Sequence, residues 1–185
     1  MMGRDGDTAG KDGKRTAMNA RMQQARDAAL SVLSPSRADL EHGLDLHRQA
    51  VVSDAYGFAP VAPIVPEALR AAAEAGASAR EMRDLREEMT MLGNLFDPVA
   101  REEYQEAWRE SGVTCVFQNA GEESFAVDAL IKRLARFTHV TDGLRGFLRR
   151  AVTAEDVAAA KRDGQRALLL SGNGVPLAQG WNSVE

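Results

Sequence analysis

Apolar positions in this chain follow two rhythms, and the changes between them mark its elements. From Met18 to about Leu33, the residues Met22, Ala25, Ala29 and Leu33 share one stripe at the three-and-four spacing of an amphipathic helix. Ser34-Pro35-Ser36 closes that stretch, because the residue before a proline avoids helical dihedrals. Ser36 can cap a second helix from about Arg37 to Arg48, with Leu40, Leu44 and Leu46 among its apolar positions. Three short runs then break the helical rhythm: Ala50 to Asp54, Val113 to Gln118, and Ala167 to Leu170. Each ends abruptly in small or polar residues, which predicts a strand running into a loop. Val113–Gln118 is apolar on both faces, as expected of a parallel strand covered on both sides.

Long helical stretches separate the predicted strands. Pro60, Pro63 and Pro66 predict a rigid loop that opens a helix at Pro66, where a missing N–H costs nothing, with Gly76 as its stop. Ser78 and Glu81 have the spacing of a capping box. The stripe Met82, Leu85, Met89, Leu92 and Phe96 continues from it, and Asp97-Pro98 begins a further helix ending near Gly112. Phe125, Val127, Leu130, Ile131, Leu134 and Phe137 mark another amphipathic helix. Thr153, with Asp156 three residues on and Gly164 beyond, frames the last one.

Strands alternating with helices predict an α/β fold with right-handed crossovers. The expected architecture is a partial (β/α)8 barrel of about three parallel strands with an added helical amino-terminal region. Residues 1–16, rich in Gly, Asp and Lys, are expected to be a disordered tail. Residues 17–48 form the helical region and 49–185 the barrel portion, which carries a helical insertion at 66–112. That insertion is either a lid over the ligand-binding edge or packing on the outside. Three strands cannot close a barrel, so the chain is expected to be part of a larger body, inactive alone and exposing apolar surface at its unpaired third strand.

Composition narrows the function classes. The chain has 185 residues, enough for one core, and a formal charge of −4. No Lys- and Arg-rich block is interleaved with aromatics, so nucleic acid is not expected as a partner. No apolar stretch is long enough to span a bilayer, and the first residues lack a secretory hydrophobic segment. A cytoplasmic location is expected, with self-association left open. The single cysteine, Cys115, lies inside an apolar run and reads as a small buried hydrophobe.

Candidate chemistry gathers at the predicted strand ends: Asp54 and Tyr56 after the first, Gln118 and Asn119 after the second, Ser171 and Asn173 after the third. In adjacent parallel strands these side chains would converge on one edge, where α/β folds bind ligands. Neutral amides and hydroxyls suit hydrogen bonding to a small polar substrate. They are poor general bases and poor ligands for divalent metals. The competing reading is that Asn119-Ala120-Gly121 and Asn173-Gly174 are turn chemistry. His42 and His47 are five apart on one predicted helix and face different ways, and His139 sits near a helix end. No Walker loop, dinucleotide glycine fingerprint or nucleophile elbow occurs.

Several stretches resemble the membrane dipeptidase (renal dipeptidase-like) family of zinc peptidases. The strongest runs from Val152-Thr153-Ala154-Glu155-Asp156-Val157 through Lys161 and Gly164 into Ala167-Leu168-Leu169-Leu170-Ser171-Gly172. It is similar to the family's helix leading to a glycine-ended strand. Asp45-Leu46-His47 to Phe58 resembles the first barrel strand, and Gly112 to Phe117 the second; the likeness covers about residue 40 to the end. The resemblance implies a (β/α)8 barrel with two zinc ions, in which a metal-bound hydroxide hydrolyses dipeptides or similar small amides. It also implies a small peptide-like substrate. This chain departs at the ligand positions: Tyr56 stands in place of the histidine, Phe58 of the aspartate and Ser171 of the bridging glutamate. The expected function is therefore that of the amino-terminal part of a dipeptidase-like metallohydrolase with an altered or incomplete metal site. Tyr56 and Ser171 would line the pocket, with Asp54 and Asn119 orienting neighbouring groups. The alternative is a non-catalytic protein that binds a peptide-like ligand or a protein partner.

Overall fold

The structure, a computed structural model, describes residues 19–121 and 126–172. Backbone contacts divide it into two units, one up to Ser34 and one from Pro35 onward. The described part of the first is helix α1 (Ala20–Leu33), whose Asn19 side chain accepts the Arg21 N–H and which ends on Ser34 in the left-handed conformation. It buries none of its residues, and Val32 and Leu33 are exposed.

In the second unit the elements are α2 (Arg37–Gln49), β1 (Ser53–Gly57), α3 (Pro66–Glu74), α4 (Ala79–Phe96), α5 (Pro98–Ser111), β2 (Cys115–Asn119), α6 (Val127–Gly143), β3 (Leu148–Ala151), α7 (Ala154–Arg162) and β4 (Arg166–Ser171). Most helix boundaries follow from local chemistry. Ser36 caps α2 by accepting the Asp39 N–H, and Pro66 opens α3. Both capping boxes form, Ser78 with Glu81 and Thr153 with Asp156. Asp97 caps α5, and Gly112 ends it with φ of 67°, a conformation that strains any residue with a Cβ. The predicted helix start at Phe125 lies outside the described residues, as do the predicted disordered tail 1–16 and Asn173.

The strands form one parallel sheet in the order β1-β2-β4-β3. Four expectations change here. The described strands number four, because Leu148–Ala151 is also a strand; its Arg149-Arg150 pair masks the apolar run that would announce it. The predicted third strand, Ala167–Leu170, is the core of β4 and is paired on both sides rather than left unpaired. A (β/α)8 barrel sets consecutive strands side by side. Here β3 lies beyond β4, so the chain steps two places across the sheet and then one back. The first predicted strand is also displaced, from Ala50–Asp54 to Ser53–Gly57.

Right-handed crossovers that reverse direction must place their helices on opposite faces, and the core divides accordingly. On one face Val116 and Leu168 of the sheet pack with Leu92 and Leu95 of α4, Tyr104 and Trp108 of α5, and Phe137 and Val140 of α6. On the other, Cys115, Ala151 and Ala167 pack with Val157 and Ala160 of α7. Small residues on this second face let α7 approach closely. Trp108, 1 % exposed, is the largest fully buried side chain described. The 66–112 insertion therefore packs on a sheet face: α4 and α5 supply much of the larger core.

No described helix is long and apolar enough to cross a membrane.

Candidate functional site

The loop after β1 folds back over the carboxyl ends of the strands and closes one side of a cavity. Two bonds hold it. The Gln118 side chain, buried at the end of β2, accepts the Ala59 N–H through Oε1 at 2.7 Å. The Ala62 N–H donates to the Thr90 carbonyl of α4 at 2.9 Å. The approach to α4 is close enough that a Cβ on Gly93 would stand 2.8 Å from that of Ala62. Glycine is thus required where the loop crosses the helix.

Between this loop, the sheet and helices α4 to α6 lies a cavity of about 180 Å³. Its apolar walls include Phe58, Pro60, Phe137, Val140 and Leu168, and its polar lining includes Asn94, Gln118 and Asn119. Gln118 is committed at both ends, since its Nε2 donates to the Asn119 carbonyl at 3.1 Å. The Asn119 Oδ1 accepts the Gly121 N–H at 3.1 Å. Asn94 is different. It is 1 % exposed, and its Oδ1 has no hydrogen-bond partner among the described residues. A buried amide oxygen without a donor costs about 1–3 kcal/mol, so Asn94 brings an unmet acceptor to the cavity lining.

The lining also carries charge, from Glu87 and Arg133. Glu87 of α4 takes two bonds from the Arg133 guanidinium of α6, at 2.8 and 3.1 Å, and one from Arg136 at 3.2 Å. Further along the same helix pair, Asp84 meets Lys132 and Asp128 meets Arg80. Hydrogen bonding from Lys132 outweighs burial and holds the Asp84 carboxyl below its ordinary range. These pairs clamp α4 to α6 and fix the width of the cavity. Tyr104 also lines it, and burial keeps its phenol protonated far above the usual tyrosine range, with Trp108 only partly offsetting that effect.

The residues expected at the strand ends are brought together only in part. Asn119 and Ser171 are register partners on β2 and β4, and the Ser171 carbonyl accepts the Ala120 N–H at 2.7 Å. Asp54 lies on the edge strand and turns its carboxylate back to the Tyr56 N–H at 3.1 Å, a local turn contact. Tyr56 is 55 % exposed and stacks edge-on with Phe58, ring centroids 6.1 Å apart. Sheet alternation separates these groups further. Asp54 pairs with Val116 and shares its face, whereas Ser171 follows Leu169 onto the α7 side. Asn119 and the strand-end residue Gln118 line the cavity; Ser171, Asp54 and Tyr56 do not.

Strand-end reasoning could not reach Asn94, Tyr104 and Arg133, because helices supply them. One signal was present for Asn94: it is the lone amide in the otherwise apolar or small run Met89 to Phe96.

The donor set does not fit a pair of zinc ions. Tyr56, Phe58 and Ser171 bring neither imidazole nor carboxylate. Among the described residues no three His, Cys, Asp or Glu side chains gather closely enough to hold a metal. Cys115 is buried, and burial raises its thiol above the ordinary value. No family model matches the chain, and no curated protein matches it.

Proposed function

We propose that this chain binds a small, neutral, amide-like ligand in the cavity at the carboxyl edge of its sheet, without cleaving it. The single observation behind this reading is the unmet Asn94 Oδ1, which calls for a ligand N–H or O–H. The surrounding phenyl, prolyl and aliphatic walls favour an apolar body attached to that donor. A volume of about 180 Å³ is below the usual 300–1,000 Å³ of drug-sized pockets, so the ligand is of single-residue size, such as an N-acylated amino-acid amide.

Hydrolysis through a two-zinc centre is the activity that the dipeptidase resemblance implies. The residues at the corresponding positions do not support it, since Tyr56, Phe58 and Ser171 offer neither imidazole nor carboxylate. Asp54, the one carboxylate of the expected set, is engaged with the Tyr56 backbone.

Calorimetric titration with N-acetyl amino-acid amides bearing apolar side chains tests the reading. Saturable one-to-one binding is expected, lost in Asn94→Leu, which removes the acceptor while keeping the branched four-heavy-atom shape of the side chain. Absence of binding across the series, or equal binding by Asn94→Leu, would overturn it. Product release from the same amides would refute the non-catalytic part.

A further inference from the structure

We infer a second, separate site at the opposite edge of the sheet, where Arg166 holds a small oxyanion such as phosphate or a carboxylate. The observation behind it is independent of the cavity. Arg166 opens β4, and alternation turns it toward α5 and α6, since Ala167 next to it packs on the α7 side. Among the described residues its Nε, which is buried, has no hydrogen-bond partner, and its one guanidinium bond is a long one, 3.5 Å from Nη1 to the Gln165 carbonyl.

Among the described residues no carboxylate forms an ion pair with Arg166, whereas three other arginines have theirs. Arg109 of α5 pairs with Glu102 at 2.9 Å, Arg149 with Asp163 at 2.7 Å, and Arg145 with Asp142 at 3.5 Å. Arg150, on the strand beside β4, is exposed and makes no described ion pair. A partly buried charge is expensive unless it is paired, and here both burial and the nearby Arg109 oppose the charge on Arg166. An oxyanion supplies what is missing: acceptors for the fixed fork of N–H groups and a negative charge that offsets the effect of Arg109 on the guanidinium.

Thermal unfolding of the full chain in inorganic phosphate, against sodium chloride at matched ionic strength, tests the site; sodium acetate serves as the carboxylate arm. With phosphate at about ten times its Kd, a rise in Tm of about 3 °C over chloride is expected. Arg166→Met should abolish the rise while leaving Tm in chloride unchanged or higher, because an unpaired charge has been removed. Arg109→Met, exposed and easily tolerated, should shrink the rise. A rise in acetate but not phosphate assigns the site to carboxylates and supports it equally. Equal Tm in all three salts, an undiminished rise in Arg166→Met, or a sharp fall of that variant's Tm in chloride would each overturn the inference.

Discussion

Gln118 and Ala59 stand 59 positions apart in sequence and are joined by one buried hydrogen bond, the side-chain Oε1 accepting the backbone N–H at 2.7 Å. That bond is one of the two that hold the proline loop over the sheet edge. The loop's own prolines make it stiff but give it few donors, so its attachment depends on the N–H groups of Ala59 and Ala62. Replacing Gln118 by Leu leaves the Ala59 N–H buried without a partner. A loss of about 1–3 kcal/mol in urea unfolding is expected, along with weaker ligand binding. Wild-type stability in this variant would show that the loop is held by other means.

The larger core depends on Trp108, which touches no proposed ligand. Its indole fills the space between α5 and the sheet beside Tyr104, the rings edge-on with centroids 6.4 Å apart. Trp108→Ala should cost about 3–5 kcal/mol, as large core truncations do. A cost below about 1 kcal/mol would mean that α5 does not pack on the sheet as described.

The start of α7 carries a pH signature. The carboxyl of Asp156 sits below its ordinary value, first because the Val152 N–H donates to it, then through the Thr153 hydroxyl and N–H. A carboxyl whose pKa is lowered by folding adds stability that is fully present above its unfolded value, about pH 4. That stability fades as pH falls through the lower folded value. Asp156→Asn should therefore unfold at a lower temperature than wild type near neutral pH, with the gap narrowing below about pH 4. A gap independent of pH would show that the carboxylate's charge plays no part in the cap.

Sequence reading reached the helices further than the sheet. Ser78–Glu81, Thr153–Asp156, Asp97-Pro98 and Gly112 are local devices whose effect spans a few residues, and each acts where its spacing says it should. Strand β3 escaped because Leu148 and Ala151 are its buried residues, with two arginines between them, leaving no apolar run to see. With that strand missing, the crossing of β3 past β4 could not be inferred, and consecutive strands were taken as neighbours. The site was misplaced for the same reason: parallel strand ends suggest a shared rim, but alternation sends Ser171 and Asp54 to different faces. Gln118 and Asn119 were legible because both close the fully covered strand β2. Asn94 and Arg133 come to the cavity only through the packing of α4 and α6 on the sheet, which no local pattern reveals.

Two-dimensional nitrogen–proton spectra of the isotope-labelled chain, recorded while N-acetyl-leucine amide is added, test the cavity reading most directly. The side-chain amide signals of Asn94 and Gln118 and the backbone signals of Ala59 and Val140 should move together and saturate. Signals on the α7 face, Ala151 and Ala160 among them, should stay in place. Shifts confined to that face, or none at the Asn94 amide at saturating ligand, would contradict binding at the carboxyl edge of the sheet.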